Sequence, residues 1–197
     1  LVAQKGDLVR VRNGNLIAIN HHPIHLHGHV FKVVETDGGP VPESAQWPET
    51  TVLVAVGQTR TVELIADNPG DWMFHCHMTH HTMNQMGHAF PNMIGMDPGD
   101  IDKKIRELIP GYMTMGTHGM EEMAHMRMRM PENSVSMLGH DGTWGPTTMG
   151  GMATMLKVRE KITGYDDPGH YDFPKGSVAR VARAEELRRD GVNPTTA

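Results

Sequence analysis

Several things are scarce in this sequence, and each scarcity excludes something. One cysteine in 197 residues leaves no intramolecular disulfide framework and no zinc ribbon built on paired cysteines. Aromatic residues are few, with three Trp, three Tyr and four Phe. No apolar run approaches the roughly 18–20 residues of a membrane-spanning helix, and no segment resembles a secretory signal peptide. Basic residues are not in excess: 18 Lys and Arg stand against 23 Asp and Glu, a net charge of −5. Nucleic-acid binding needs a concentrated basic face to neutralise phosphates, so no nucleic-acid partner is expected.

Methionine and histidine are abundant instead. They supply 17 and 14 residues, and both are metal ligands. They are also unevenly placed, and three zones follow. Residues 1–95 hold two dense histidine clusters among strand-like runs. Residues 96–153 are rich in Met, Gly and Pro. Residues 154–197 hold a short strand and a charged tail.

The first zone reads as β. Alternation from Asp7 to Arg12 predicts a strand with one buried face, and Asn13-Gly14 supplies a turn. Further strands are predicted over His29 to Glu35, Thr51 to Val56, Arg60 to Ile65 and Asp71 to His77, the last entered by the Asp67-Asn68-Pro69-Gly70 turn. Thr154 to Arg159 adds a sixth. Two helices are predicted, Ile101 to Ile109 capped by Asp100 and Val178 to Asp190 capped by Ser177. Short strands with few helices suggest a sandwich or barrel.

The first histidine cluster is His22-Pro23-Ile24-His25-Leu26-His27. His25 and His27 are two apart, so on a strand they share a side and can reach one metal site. His22 lies three back across Pro23 and points elsewhere, free to serve a different metal. The second cluster is His75-Cys76-His77, followed by His81 and Met86. On a strand Cys76 faces one side and its two neighbours the other, which straddles a sheet between two sites. Two His, one Cys and a long axial Met make up the ligand set of a blue-copper centre. Cys76, His81 and Met86 offer three members and His22 completes it. Taken singly, a Cys or Met is usually core filler. Zinc also accepts His and Cys, but gives no reason for the Met ten residues on or for the doubled set.

Together the two motifs, with Asp67-Asn68-Pro69-Gly70-Asp71-Trp72-Met73-Phe74 leading into the second, resemble the C-terminal cupredoxin domain of multicopper oxidases. The resemblance is good over roughly residues 5–95. Beyond that it is compositional, and the Met-rich stretch looks like that of bacterial copper-resistance oxidases. It implies an all-β, cupredoxin-like Greek-key sandwich carrying a Met-rich loop insertion and short helices. It implies type 1 copper at His22, Cys76, His81 and Met86, type 2 copper at His25, and the type 3 pair at His27, His75 and His77. Electrons from a substrate would enter at Cys76 and pass to the adjacent His75 and His77, where dioxygen is reduced to water.

Eight histidines surround the trinuclear cluster in that family, and four match here. An N-terminal cupredoxin domain, in the same or another chain, is therefore expected to supply four more. The expected reductant is a phenol-like small molecule or Cu(I), and the expected location, by resemblance, is periplasmic or secreted. Met113, Met115, Met120, Met123, Met126, Met128 and Met130 are candidate Cu(I)-docking thioethers, since soft sulfur suits Cu(I); an adaptable apolar cover is the plainer reading. His21, His29, His80 and His88 are expected to flank the sites without ligating. The alternative function is a non-enzymatic type 1 electron-transfer protein or a copper-binding resistance protein.

Overall fold

The computed structural model describes residues 1–82, 100–111, 140–142, 145–147 and 152–193. Two facing β-sheets carry the architecture. The first runs β1 (Val2–Gln4), β12 (Ala153–Arg159), β9 (Gly70–Cys76), β3 (His22–Leu26) and β7 (Thr51–Val54). Only β1 and β12 pair in parallel; the other neighbours are antiparallel. The second runs β2 (Leu8–Gly14), β8 (Thr59–Ile65), β4 (Phe31–Thr36) and β5 (Gly39–Pro40), with β6 (Pro48–Glu49) also on β4. A separate hairpin joins β10 (His140–Gly142) to β11 (Gly145–Thr147).

The core lies between the two sheets. Leu26, Val52, Val54, Leu156 and Val158 come from the first, and Phe31, Val33, Val62 and Leu64 from the second. Each is a β-branched, aliphatic or aromatic side chain on the inward phase of its strand, the pattern that a half-buried pleated surface favours. The predicted alternation along β2 is present. Leu8, Arg10 and Arg12 are exposed, while Val9 and Val11 turn inward against the core. On the outer face Arg10 is the register partner of Glu63 and forms an ion pair with it. The result is the all-β sandwich of two facing sheets expected from the resemblance.

The short strands β1, β5, β6, β10 and β11 and the central strand β3 were not predicted as such. β1 is only three residues long. β3 contains Pro23, which on sequence rules demotes a run from the middle of a sheet. It nevertheless sits between β9 and β7, and the Pro23 carbonyl accepts the His77 N–H at 2.7 Å. β12 returns to the first sheet from far along the chain, its Ala153 paired with His75 of β9. The first sheet therefore closes only with residues beyond 152.

Both predicted helices differ from expectation in detail. α1 (Thr79–Thr82) is a single turn after the cysteine. α2 (Ile101–Leu108) forms where predicted, but Asp100 supplies its carbonyl to Lys104 and no side-chain cap. The C-terminal helix shrinks to α3 (Ala184–Arg189), capped by Arg183 instead of Ser177. Ser177 closes its own turn onto the Pro174 carbonyl at 2.6 Å. Val181 is 93% exposed, so the upstream half of the predicted helix buries no apolar face, and short helices without packing are marginal in water.

Candidate metal centre

The site is built on the antiparallel pairing of β3 and β9. His25 lies opposite His75, Ile24 opposite Cys76, and Leu26 opposite Phe74. Alternation then sorts the side chains. His22, Ile24 and Leu26 share a face with Phe74 and Cys76; His25 and His27 share the other with His75 and His77.

On the first face, His22 Nδ1 is 3.4 Å and His81 Nδ1 is 3.2 Å from Cys76 Sγ. The two imidazoles stack at 5.3 Å between centroids. All three residues are buried, and their donor atoms lie within 4.8 Å of one another. His81 reaches the sulfur from α1, the turn that brings the chain back after the cysteine; its N–H bonds the Met78 carbonyl. The Cys76 N–H donates to the Met152 carbonyl at 2.9 Å, so the return of β12 also closes this site. Burial pushes the Cys76 thiol above its ordinary pKa, with the Met78 backbone opposing.

On the second face four imidazoles meet. His27 Nε2 and His75 Nε2 are 3.1 Å apart. The His25 ring lies 4.8 Å from His27, 5.7 Å from His75 and 5.2 Å from His77, and the His75 and His77 rings are 5.2 Å apart. Burial first, and the neighbouring imidazoles after it, hold His27 below the ordinary histidine range. Burial likewise lowers His75, against an opposing bond to the Cys76 carbonyl. Near neutral pH both rings are therefore neutral, the state that ligates metal.

Hydrogen bonds fix which nitrogen is offered. A carbonyl can only accept, so the 2.9 Å contact of His75 Nδ1 with the Cys76 carbonyl places the proton on Nδ1. Nε2 is left bare toward His27. His25 Nδ1 is held by Thr51 Oγ1 at 2.7 Å, which likewise turns Nε2 to the cluster. An imidazole anchored through one nitrogen and offering the other is the usual arrangement of a metal-ligating histidine. The donor sets on both faces therefore fit metal: soft sulfur with two nitrogens on one, imidazole nitrogens alone on the other.

The remaining candidates divide plainly. Met86, His88 and the seven candidate docking methionines from Met113 to Met130 lie outside the described residues. His21 is exposed and accepts the Val56 N–H at 3.0 Å, away from both sets. His29, expected only to flank, is buried, and its Nδ1 is 3.4 Å from the His27 carbonyl. Its spacing of two from His27 was a visible signal, but spacing alone does not separate a ligand from a support. A cavity of about 930 Å³ lies beside two of the four, bordered by His25, His27, His29 and Lys32 and not by His75 or His77.

Residues 1–95 match the family model described as multicopper oxidase. The multicopper oxidase MmcO of Mycobacterium tuberculosis is 42% identical over 66 residues, which are 34% of this chain and 12% of that protein. Laccase-11 of Arabidopsis thaliana is 39% identical over 89 residues, 41% of this chain and 16% of its own. A multi-copper oxidase crystal structure from Pseudomonas thermotolerans is 43% identical over 39% of this chain and 18% of its own, with a TM-score of 0.35. The chain thus spans less than a fifth of the length of each of these relatives. Among the described residues, no helix is long and apolar enough to cross a membrane.

Proposed function

We propose, on the premise that residues 1–95 belong to the multicopper oxidase family, that this chain is the C-terminal, type 1-bearing portion of a copper oxidase. One observation carries the reading. Cys76 shares one face of a strand pair with His22, while His75 and His77, its covalent neighbours, share the other with His25 and His27. His22, Cys76, His81 and Met86 would hold the type 1 copper. His25 would hold type 2 copper, and His27, His75 and His77 the type 3 pair. Bound copper supplies one-electron oxidation of the substrate at the sulfur site and, at the histidine cluster, reduction of dioxygen by four electrons and four protons to two waters.

The chain's own residues do the rest. His22 and His81 present Nδ1 atoms to the Cys76 sulfur in a buried setting that excludes water. The Cys76–His75 and Cys76–His77 backbone links are the shortest covalent routes between the two faces. The Cys76 carbonyl holds His75 in one tautomer, and Thr51 holds His25 through its Nδ1. The four further histidines of the cluster come, in this reading, from an N-terminal cupredoxin domain whose docking face is the side on which the histidine cavity opens.

The reductant in this reading is a phenol-like molecule or Cu(I), and the working location is the periplasm or the exterior. In this reading the copper-motif part of the cupredoxin domain spans residues 1–95 and the Met-rich segment 96–153, while 154–197 adds the tail and the strand whose Leu156 and Val158 complete the core. The Met-rich segment favours Cu(I), because thioethers are soft ligands. Deleting residues 113–130 should then depress Cu(I) oxidation more than phenol oxidation, and equal loss of both would reject the docking role. Copper content, the visible spectrum and electron paramagnetic resonance of the complete assembly test the larger proposal. It requires four coppers, an intense thiolate-to-copper band and a coupled pair. A single copper would leave the electron-transfer alternative standing in its place.

A further inference from the structure

The turn after β3 is held by more than its own hydrogen bonds. Gly28 has φ +71°, and a Cβ built there would lie 2.3 Å from Cδ2 and Cε3 of Trp72. The indole thus rests directly on the backbone between His27 and His29, a close approach open only to glycine. The Trp72 Nε1–H donates to the Asn68 carbonyl at 2.7 Å, and the Asn68 amide donates to the Gly28 carbonyl at 3.2 Å. The His29 ring meets the indole edge to face at 5.8 Å, and its Nδ1 lies 3.4 Å from the His27 carbonyl. Finally, the His27 N–H is tied to the Met73 carbonyl at 2.9 Å.

The geometry points to a clamp. Trp72, Asn68 and His29 are positioning residues that press the His27–Gly28–His29 turn onto β9 and so hold the His27 ring against His75. Among the described residues, the side-chain hydrogen bonds and ring contacts of the three run to the turn and to one another and not to His25, His75 or His77, so the clamp acts on one imidazole of the four. His25 is fixed separately through Thr51, and His75 through the Cys76 carbonyl. His27 sits beyond the end of β3 at Leu26, and among the described residues its ring meets only other imidazoles. A ligand on a turn needs its supporting shell locked to stay within bonding tolerance. That His27 is a metal ligand rests on the function proposed above; that the indole fixes the His27 ring does not.

Gly57 allows a matched test. Its φ is also +71°, but a Cβ there meets nothing within 4 Å. Gly57→Ala therefore introduces the same backbone strain as Gly28→Ala without the indole clash. The readout is the ring-proton nuclear Overhauser effect between His27 and His75 in the metal-free 197-residue chain, with the His25–His77 effect as internal reference. A displacement of about 0.6 Å takes the 3.1 Å nitrogen pair past hydrogen-bond reach and weakens an inverse-sixth-power signal between ring protons about 4 Å apart by roughly twofold.

Gly28→Ala is expected to show that loss for His27–His75 alone, and Gly57→Ala neither loss. Trp72→Phe, which keeps an aromatic ring but removes the Nε1–H bond to Asn68, should show a smaller loss on the same pair and decides the matter if Gly28→Ala does not fold. The clamp is overturned if the His27–His75 signal survives in both Gly28→Ala and Trp72→Phe, if His25–His77 weakens equally, or if Gly57→Ala matches Gly28→Ala. A Zn(II) titration followed on the four histidine rings separates the two ideas. Failure of the unaltered chain to bind at that face removes the metal reading, while the Overhauser comparison still judges the clamp.

Discussion

The two faces of the β3–β9 pair are made by the same residues in alternation, yet they are different chemical environments. The Cys76 face is closed: His22, Cys76 and His81 are all buried, and the chain folds back through α1 to finish it. The histidine face is open: His27 and His77 are exposed, His25 is half-buried, and a large cavity lies beside His25 and His27. A closed set of one sulfur and two nitrogens suits a metal that exchanges electrons without exchanging ligands. An open set of four imidazoles suits a site completed by something that arrives from outside. Alternation along a strand is enough to keep the two apart while leaving them one peptide bond from each other.

The sharpest way to break this comparison is Cys76→Ser. On the proposed copper reading it should abolish the thiolate-to-copper band completely in the copper-loaded chain, while Zn(II) uptake at the four-histidine face is little changed, because serine keeps the backbone carbonyl that anchors His75 Nδ1. Loss of both would mean that the faces are one coupled site. The next largest effect should be shared by both faces. Leu156 is 2% exposed on β12, opposite Trp72 of β9. Leu156→Ala should destabilise the fold by about 2–5 kcal/mol through lost burial and a residual cavity. Denaturant melts should show it, with both faces losing their metals at the same midpoint. Separate midpoints would show that β9 can be released from one face at a time.

Much of this division was readable from spacing. The two-residue offsets of His25/His27 and His75/His77, and the odd position of Cys76 between the latter, are properties of any extended chain. The strand under the first cluster was not readable, because Pro23 argues against a central strand and only pairing on both sides overrides it. Nor could spacing reveal Thr51 beneath His25, or Trp72 on Gly28. Those are contacts between strands far apart in sequence, and no local pattern encodes them. The C-terminal helix failed for the opposite reason: its pattern was local and favourable, but among the described residues nothing covers Val178 and Val181, which remain exposed.

Thr51 gives a smaller and one-sided test. Thr51→Val keeps the shape of the β7 residue but removes the hydroxyl that anchors His25 Nδ1. Loss of such an anchor typically weakens metal affinity about 10–100-fold. The fall should appear at the histidine face, by calorimetry, and leave the blue band of the cysteine face unchanged. A matching fall at both faces would show that Thr51 supports the sheet and not the ligand.

The smallest effect separates the faces by protons. In the metal-free chain His27 and His75 have lowered pKa values, so they stay neutral where an unfolded chain would protonate them. With the folded values below the unfolded value of about 6.5, the unfolded state binds more protons as pH falls through that value. Stability is thus fully present above about pH 6.5 and declines as pH drops toward the folded values. Cys76 is shifted the other way, its thiol held protonated at neutral pH by burial. Metal binding must remove that proton, whereas neutral imidazoles have none to lose. Zn(II) binding near pH 7.5 should therefore release about one proton at the cysteine face and essentially none at the histidine face. Calorimetry in two buffers of different ionisation enthalpy, with Cys76→Ser as the reference, reads the difference. Equal release in both proteins would mean that the thiol is already ionised in the fold, and the contrast between a closed face that must be deprotonated and an open face held ready would fail.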